Sequence, residues 1–161
     1  MYNKRKRIEV SMKISAFTLR KYRAPAILLF TLYLVVLFYL LFFSGYRQSV
    51  YGLRGYNYLP LLPLLEEVAS LNSFGLSFIT SNLFGNVLAF LPLGFFAAFF
   101  TKKNVSAIIM MSFLLSFSIE MLQFIFAIGI CDINDILLNT IGGALGYCLF
   151  YLTMPFLVKK Q

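Results

Sequence analysis

The chain has 161 residues, 60% of them hydrophobic and only 12% charged, with a mean hydropathy of +0.83 and a formal net charge of +8. A soluble domain carries about a quarter charged residues, so this composition excludes an ordinary water-soluble globule and defines one integral membrane domain. Histidine is absent, which removes Ser-His and Cys-His nucleophile pairs and the common histidine-ligated zinc sites.

Residues 1–23 form a basic segment carrying Lys4, Arg5, Lys6, Arg7, Lys13, Arg20, Lys21 and Arg23. An apolar run follows at 24–43, longer than the 7–15 residues of a signal-peptide core and without small-x-small cleavage chemistry after it, so it reads as a retained anchor. Further runs at about 81–100, 105–127 and 133–158 are each long enough for a hydrocarbon core that needs about 20 helical residues. The predicted fold is an all-α bundle of four transmembrane helices spanning 24–158, with a short tail at 159–161.

Twelve of the fourteen basic residues fall before the first span, in the Lys102-Lys103 turn, or after the last span at Lys159 and Lys160. The positive-inside rule then places both termini and the 101–104 turn in the cytoplasm, and the 44–80 loop and the 128–132 turn outside. The basic tail is a topology and anionic-lipid signal on this reading, and no nucleic-acid partner is expected.

The outer loop at 44–80 is too long for a bare connection. Tyr46, Tyr51, Tyr56 and Tyr58 form an aromatic belt just past the first span, and the run from Tyr58 to Leu65 is apolar enough for the headgroup zone. Pro63 followed by Glu66 and Glu67 predicts a short interfacial helix running to about Leu71. Arg47 and Arg54 are placed there to meet a phosphate or an acidic group.

Within the spans, polar residues converge by depth. Glu120 lies 17 residues from Lys103, about 25 Å of helix, and Asn86 lies 16 residues from Lys102, about 24 Å, with Asn82 one turn beyond. Asn139 is 20 residues from Lys159, about 30 Å, with Asp135 and Asp132 above it. The three counts reach one outer layer.

Spacing gives each stripe a face. Ser112, Ser116, Glu120 and Gln123 line one side of the third span, and Asp132, Asp135 and Asn139, continued by Gly142 or Gly143 and Gly146, line one side of the fourth. Gly142-x-x-x-Gly146 is expected to bring these two stripes together. Pro92 and Gly94 in the second span are expected to kink that helix and open room for a ligand. Amides and serines in such places also serve plain helix packing, and Asp132 also suits a cap on the fourth helix. Glu120 and Asp135 are harder to explain so, because the spans offer them no basic partner. Crowded acids in a low dielectric share a proton or gather round a cation, so Glu120, Asp132 and Asp135 would be the ligands if a divalent ion is bound, although no cofactor is required. Asp132-x-Asn134 begins like a calcium loop, but Ile136 and Leu137 stand where the next ligand and the turn glycine belong. Cys131 and Cys148 are 17 positions apart, about 25 Å along one helix, too far for a disulfide.

The run from Asn86 through Pro92 and Gly94 to Phe95, the run from Ser116 through Glu120 to Gln123, and the run from Asp132 through Asp135, Asn139, Gly142 and Gly143 to Gly146 resemble the VanZ-like family of membrane proteins; Asn57-x-x-Pro60 is similar to a fourth motif of that family. The resemblance covers about residues 57–147. It implies a small bacterial multi-pass protein of the cytoplasmic membrane, in a family whose founding member is linked to teicoplanin resistance by a route independent of remodelling the peptidoglycan precursor. Carried over by position, the matched polar residues are Asn86, Ser116, Glu120, Gln123, Asp132, Asp135 and Asn139. Many members carry an arginine where this chain has Gly129, and Arg47 or Arg54 would have to replace it. The expected function is binding of an envelope component, such as a lipid-linked cell-wall intermediate, in an outward polar pocket, with an effect on glycopeptide sensitivity. Two alternatives are metal-assisted chemistry on a lipid phosphate and ion or proton transport; the second would need polar residues continuing inward, and the spans hold almost none.

Overall fold

A computed structural model describes the backbone of residues 2–52, 54–59, 73–101 and 104–159, and side chains within 21–45, 47–52, 54–59, 83–101 and 104–153. The elements are α1 (Tyr2–Phe42), α2 (Gly45–Ser49), β1 (Tyr56–Asn57), α3 (Ser73–Thr101), α4 (Val105–Ile125), β2 (Cys131–Asp132) and α5 (Ile133–Lys159). Among the described residues four segments are long and apolar enough to cross a membrane: Lys21–Ser49, Leu83–Thr101, Val105–Ile125 and Ile133–Thr153. The expected interfacial helix from Pro63 to Leu71 lies outside the described residues.

Element boundaries differ from the hydropathy reading for local reasons. Helix α1 runs through the basic segment as well as the apolar one, and its 41 residues make about 60 Å, roughly twice a hydrocarbon core. Lysine and arginine are good helix formers, so polarity does not stop the helix where it stops the span. Helix α3 begins at Ser73, eight residues before the predicted span, because no proline interrupts the chain between there and Pro92. Helix α4 starts on a cap: Asn104 has extended backbone, and its side-chain oxygen accepts the Ala107 N–H at 3.0 Å. It ends two residues short of the predicted 127. Ala127 turns into the left-handed region at φ 54°, Ile128 N–H reaches the Gln123 carbonyl at 3.0 Å, and Ala127 N–H reaches that of Phe124 at 3.2 Å. That is the Schellman pattern, built on alanine where glycine is the usual residue.

Helix α5 is the centre of the bundle, packing most extensively against α3 and then against α4, while α1 lies at the edge. Two faces of α5 divide the work. A Cβ on Gly142 or Gly146 would overlap the backbone carbonyls of Val87 and Leu91, and one on Gly94 would overlap the carbonyl of Gly143, so α3 and α5 touch backbone to backbone. Gly143 instead makes room for the Ser112 hydroxyl of α4. The Gly142-x-x-x-Gly146 pair therefore joins α5 to α3, not to α4 as its place in the stripe suggested. Seven- and four-residue steps from Asp135 lead to Gly142 and Gly146, and the same steps from Asp132 lead to Asn139 and Gly143, so one helix presents adjacent strips to two neighbours.

Helix α3 runs on through Pro92. Around it the described residues are packed: Leu93 is 4% exposed, and Gly94 is buried against α5, because the small residues let the helices close on one another. Phe90, Leu93 and Ile119 form the buried core, with Phe30, Tyr33, Leu41 and Phe42 of α1 packed on it. Tyr33 fixes α1 to α3 by donating its hydroxyl to the Ala89 carbonyl at 2.6 Å, and Phe30 adds ring contacts with Phe96 and Phe100 at 5.1 and 5.7 Å.

Candidate functional site

The polar side chains gather at the end of the bundle away from the last residues of α3 and the first of α4. There the segment after α2 and the turn before α5 run side by side. Tyr56 pairs with Cys131 and Asn57 with Asp132 in a two-residue parallel bridge, Cys131 N–H reaches the Gly55 carbonyl at 3.0 Å, and Gly52 N–H reaches that of Ala127 at 2.7 Å.

Asp132 caps α5. Its carboxylate accepts the Asn134 N–H at 2.8 Å, satisfying one of the donors that every helix start leaves open. The same carboxylate accepts the Asn57 side-chain amide at 3.2 and 3.1 Å and that of Asn134 at 3.0 Å. Asn134 also donates to the Leu59 carbonyl at 3.4 Å. Asp135 stands where a local capping box would reach back for the Asp132 N–H. Here Glu120 takes that N–H instead, at 2.9 Å across the α4–α5 interface, and Asp135 is left to accept the Asn86 side-chain amide of α3 at 2.6 Å. Deeper in, Asn139 donates to the Ser116 hydroxyl at 2.9 Å with both residues buried. Side chains from α3, α4, α5 and the β1 segment are thus tied into one layer.

The electrostatics follow from this placement. Glu120 is 2% exposed, and a carboxylate so enclosed needs donors or positive charge near it. For Glu120 the Asp132 N–H and the positive end of α5 supply part of this, while the amides of Asn57 and Asn134 serve Asp132 and that of Asn86 serves Asp135. Arg47 of α2 adds a positive charge that acts on both Glu120 and Asp135. Arg54 is exposed at the same end. The Cys131 thiol is pushed above its usual range by burial and then by the charges of Glu120 and Asp132, so it stays protonated and slow to react.

Gln123 has a different occupation from its neighbours in the stripe. Its side-chain amide donates to the Leu41 carbonyl at 2.8 Å, closing one of the open carbonyls at the end of α1. Its own oxygen and the Ser112 hydroxyl are buried with no hydrogen-bond partner among the described residues. The side chain of Asn82 lies outside the described residues. Asn57, Asn134 and Arg47 are the members that depth counting left out. Asn134 had a readable signal, a donor two residues after a capping aspartate, but Asn57 in two-residue β1 and Arg47 in five-residue α2 belong to elements too short for a period to place them. Among the described residues no three or more of His, Cys, Asp and Glu are grouped so as to hold a metal ion, and Glu120, Asp132 and Asp135 each face a different hydrogen-bond partner.

Four helices fit to cross a membrane, closed at one end by a layer of linked carboxylates and amides, define a multi-pass membrane protein with a buried polar cluster. The family model described as VanZ/LLP1 matches residues 30–154, and the chain belongs to that family. It is also 31% identical over 135 residues to a protein of Enterococcus faecium named Protein VanZ, an alignment that covers 83% of this chain and 78% of the relative. No solved structure matches it.

Proposed function

We propose that this protein resides in the bacterial cytoplasmic membrane with its acidic end outward, binds a component of the cell envelope at the polar layer, and thereby lowers sensitivity to glycopeptides such as teicoplanin. The orientation is supported by twelve of the fourteen basic residues, which lie in the N-terminal part of α1, at positions 102 and 103, and at positions 159 and 160, on the opposite flank of the spans from Glu120 and Asp132. One observation carries the binding reading: three acids from two spans and the turn between them are linked at one end of the bundle, Asp132 to the Asn57 amide of β1, Asp135 to the Asn86 amide of α3, and Glu120 to the backbone N–H of Asp132. Ionisable groups inside a membrane protein are costly, and gathering them marks a place where a polar ligand is met. A lipid-linked cell-wall intermediate fits, having an acyl portion for the bilayer and a polar head for the layer. Its approach would be from the β1 segment, where Tyr51, Tyr56 and Tyr58 are 74%, 72% and 68% exposed.

The test is a resistance measurement with isosteric replacements that leave the hydrogen-bond acceptors in place. Glu120→Gln and Asp135→Asn, each inserted at wild-type level, are expected to shift glycopeptide sensitivity toward that of a deletion strain. Wild-type sensitivity in both variants would remove the layer from the function.

A further inference from the structure

Gly129 lies in the turn between α4 and α5 and is buried, and its φ falls outside the left-handed region, so the backbone alone does not demand glycine there. Space does. A Cβ built on Gly129 would stand 2.6 Å from Nη1 of Arg47 and 3.9 Å from Cζ, so the end of the guanidinium occupies the position a side chain would take. Arg47 reaches this place from α2, a five-residue helix beyond the end of α1, and from there its charge acts on Glu120 of α4 and on Asp135 of α5. The turn that receives it is anchored on both sides, by Gly52 to Ala127 at 2.7 Å and by Gly55 to Cys131 at 3.0 Å. The cation of the polar layer is therefore supplied by an element outside the helices that carry the acids, and it is seated where one residue has no side chain.

We propose that Arg47 is the positioning residue of this layer and Gly129 its seat: the guanidinium, lodged against the α4–α5 turn, draws Glu120 and Asp135 toward one point and so sets the arrangement that a ligand meets. The part concerning the ligand rests on the function proposed above; the seating does not. A planar guanidinium with five donors suits two acids approaching from different helices, which a lysine ammonium, compact and more strongly hydrated, serves less well. Because the contacting atom ends a flexible side chain, Gly129→Ala asks the guanidinium to give by less than about 1 Å, whereas Gly129→Leu claims its whole place.

The decisive experiment is a double-mutant cycle on the purified full chain in detergent, read by thermal unfolding. Gly129→Leu is expected to lower Tm by about 5 °C in the wild-type background and by less than about 1 °C once Arg47→Ala has emptied the seat. Equal losses in the two backgrounds, or none in either, would overturn the seating. Arg47→Gln is expected to destabilise, and adding Glu120→Gln or Asp135→Asn to it is expected to recover part of that loss, an outcome that volume alone does not produce. If the second substitution only adds to the first, the positioning role falls. Resistance separates the two proposals: coupling in Tm with unchanged glycopeptide sensitivity in every variant upholds the seat and sinks the proposed function.

Discussion

Glu120 is the residue on which structure and function are most easily separated. Its Oε2 accepts the Asp132 N–H at 2.9 Å, and the residue is 2% exposed, so Glu120→Ala leaves a buried donor with no partner and a void beside it. A stranded donor costs about 1–3 kcal/mol, and the void adds roughly 1 kcal/mol. In Glu120→Gln the amide oxygen still receives the Asp132 N–H, and the loss is confined to the charge facing Arg47, about 1 kcal/mol. Both variants lose that charge, so they should differ by the stranded donor and the void alone, about 3 kcal/mol, or about 6–12 °C in Tm for a chain of this length. Ser118→Ala is the control, because Ser118 is exposed on the same helix and bonds only its own turn, to Leu114 at 2.7 Å. Hydrogen exchange adds a local reading: the Asp132 amide should lose protection in Glu120→Ala and keep it in Glu120→Gln. If the two variants melt together with equal protection at Asp132, Glu120 does not hold that amide, and the account of how α4 fastens the start of α5 is wrong.

The α3–α5 seam should tolerate no side chain: Gly146→Ala has to push α5 off the backbone of α3 and is expected to lower Tm by about 5 °C or more, while Gly85→Ala, with nothing within 4 Å of the new Cβ, should leave it unchanged. Ala127 holds a left-handed backbone at φ 54° that costs an L residue roughly 1 kcal/mol, so Ala127→Gly should raise Tm by about 1–3 °C in the same assay. For orientation, Tyr56→Cys in a chain whose Cys131 and Cys148 are replaced by serine should be labelled in intact cells by a membrane-impermeant maleimide; labelling only after permeabilisation would reverse the proposed topology. Finally, Gln123→Leu removes the donor to the Leu41 carbonyl at 2.8 Å and is expected to loosen the end of α1, raising hydrogen exchange in α2 without weakening the Asn86–Asp135 link.

Counting the fixed rise of a helix put Asn86, Glu120 and Asn139 in one layer; the structure ties Asn86 to Asp135 and Glu120 to the Asp132 N–H, with Asn139 about a turn further along on Ser116. Facing was legible in part. The period that grouped Asp135 and Asn139 was correct for a helix, yet 3.6 residues per turn spreads those positions over two adjacent strips, and the hydrogen bonds and glycine contacts show that 135, 142 and 146 look to α3 while 139 and 143 look to α4, the Asp132 carboxylate turning instead to Asn57 of β1. Helix ends were the least legible. The left-handed step at Ala127 and the start of α3 at Ser73 are backbone decisions taken where hydropathy carries no information. Asn57 and Arg47 depend on a loop meeting a turn 75 and 82 positions away in sequence, and no periodicity encodes that meeting.

The hydrogen bonds of the layer do not themselves explain its acids. An amide oxygen at position 120 would receive the Asp132 N–H as well as a carboxylate does, and an asparagine at 135 would accept from Asn86. Capping α5 needs one acidic or polar side chain, and Asp132 already provides it. Charge at 120 and 135 is thus surplus to the bonds made there, and it adds a burial cost that neutral residues would avoid. The chain then spends a further charged side chain, Arg47, and keeps position 129 bare so that this side chain can arrive. A purely structural clasp has no use for a matched set of charges that an amide network would replace at lower cost. A site that must meet a polar head group and exclude acyl chains does, and this excess of charge over hydrogen-bonding need is the physical reason for reading the layer as a place of recognition.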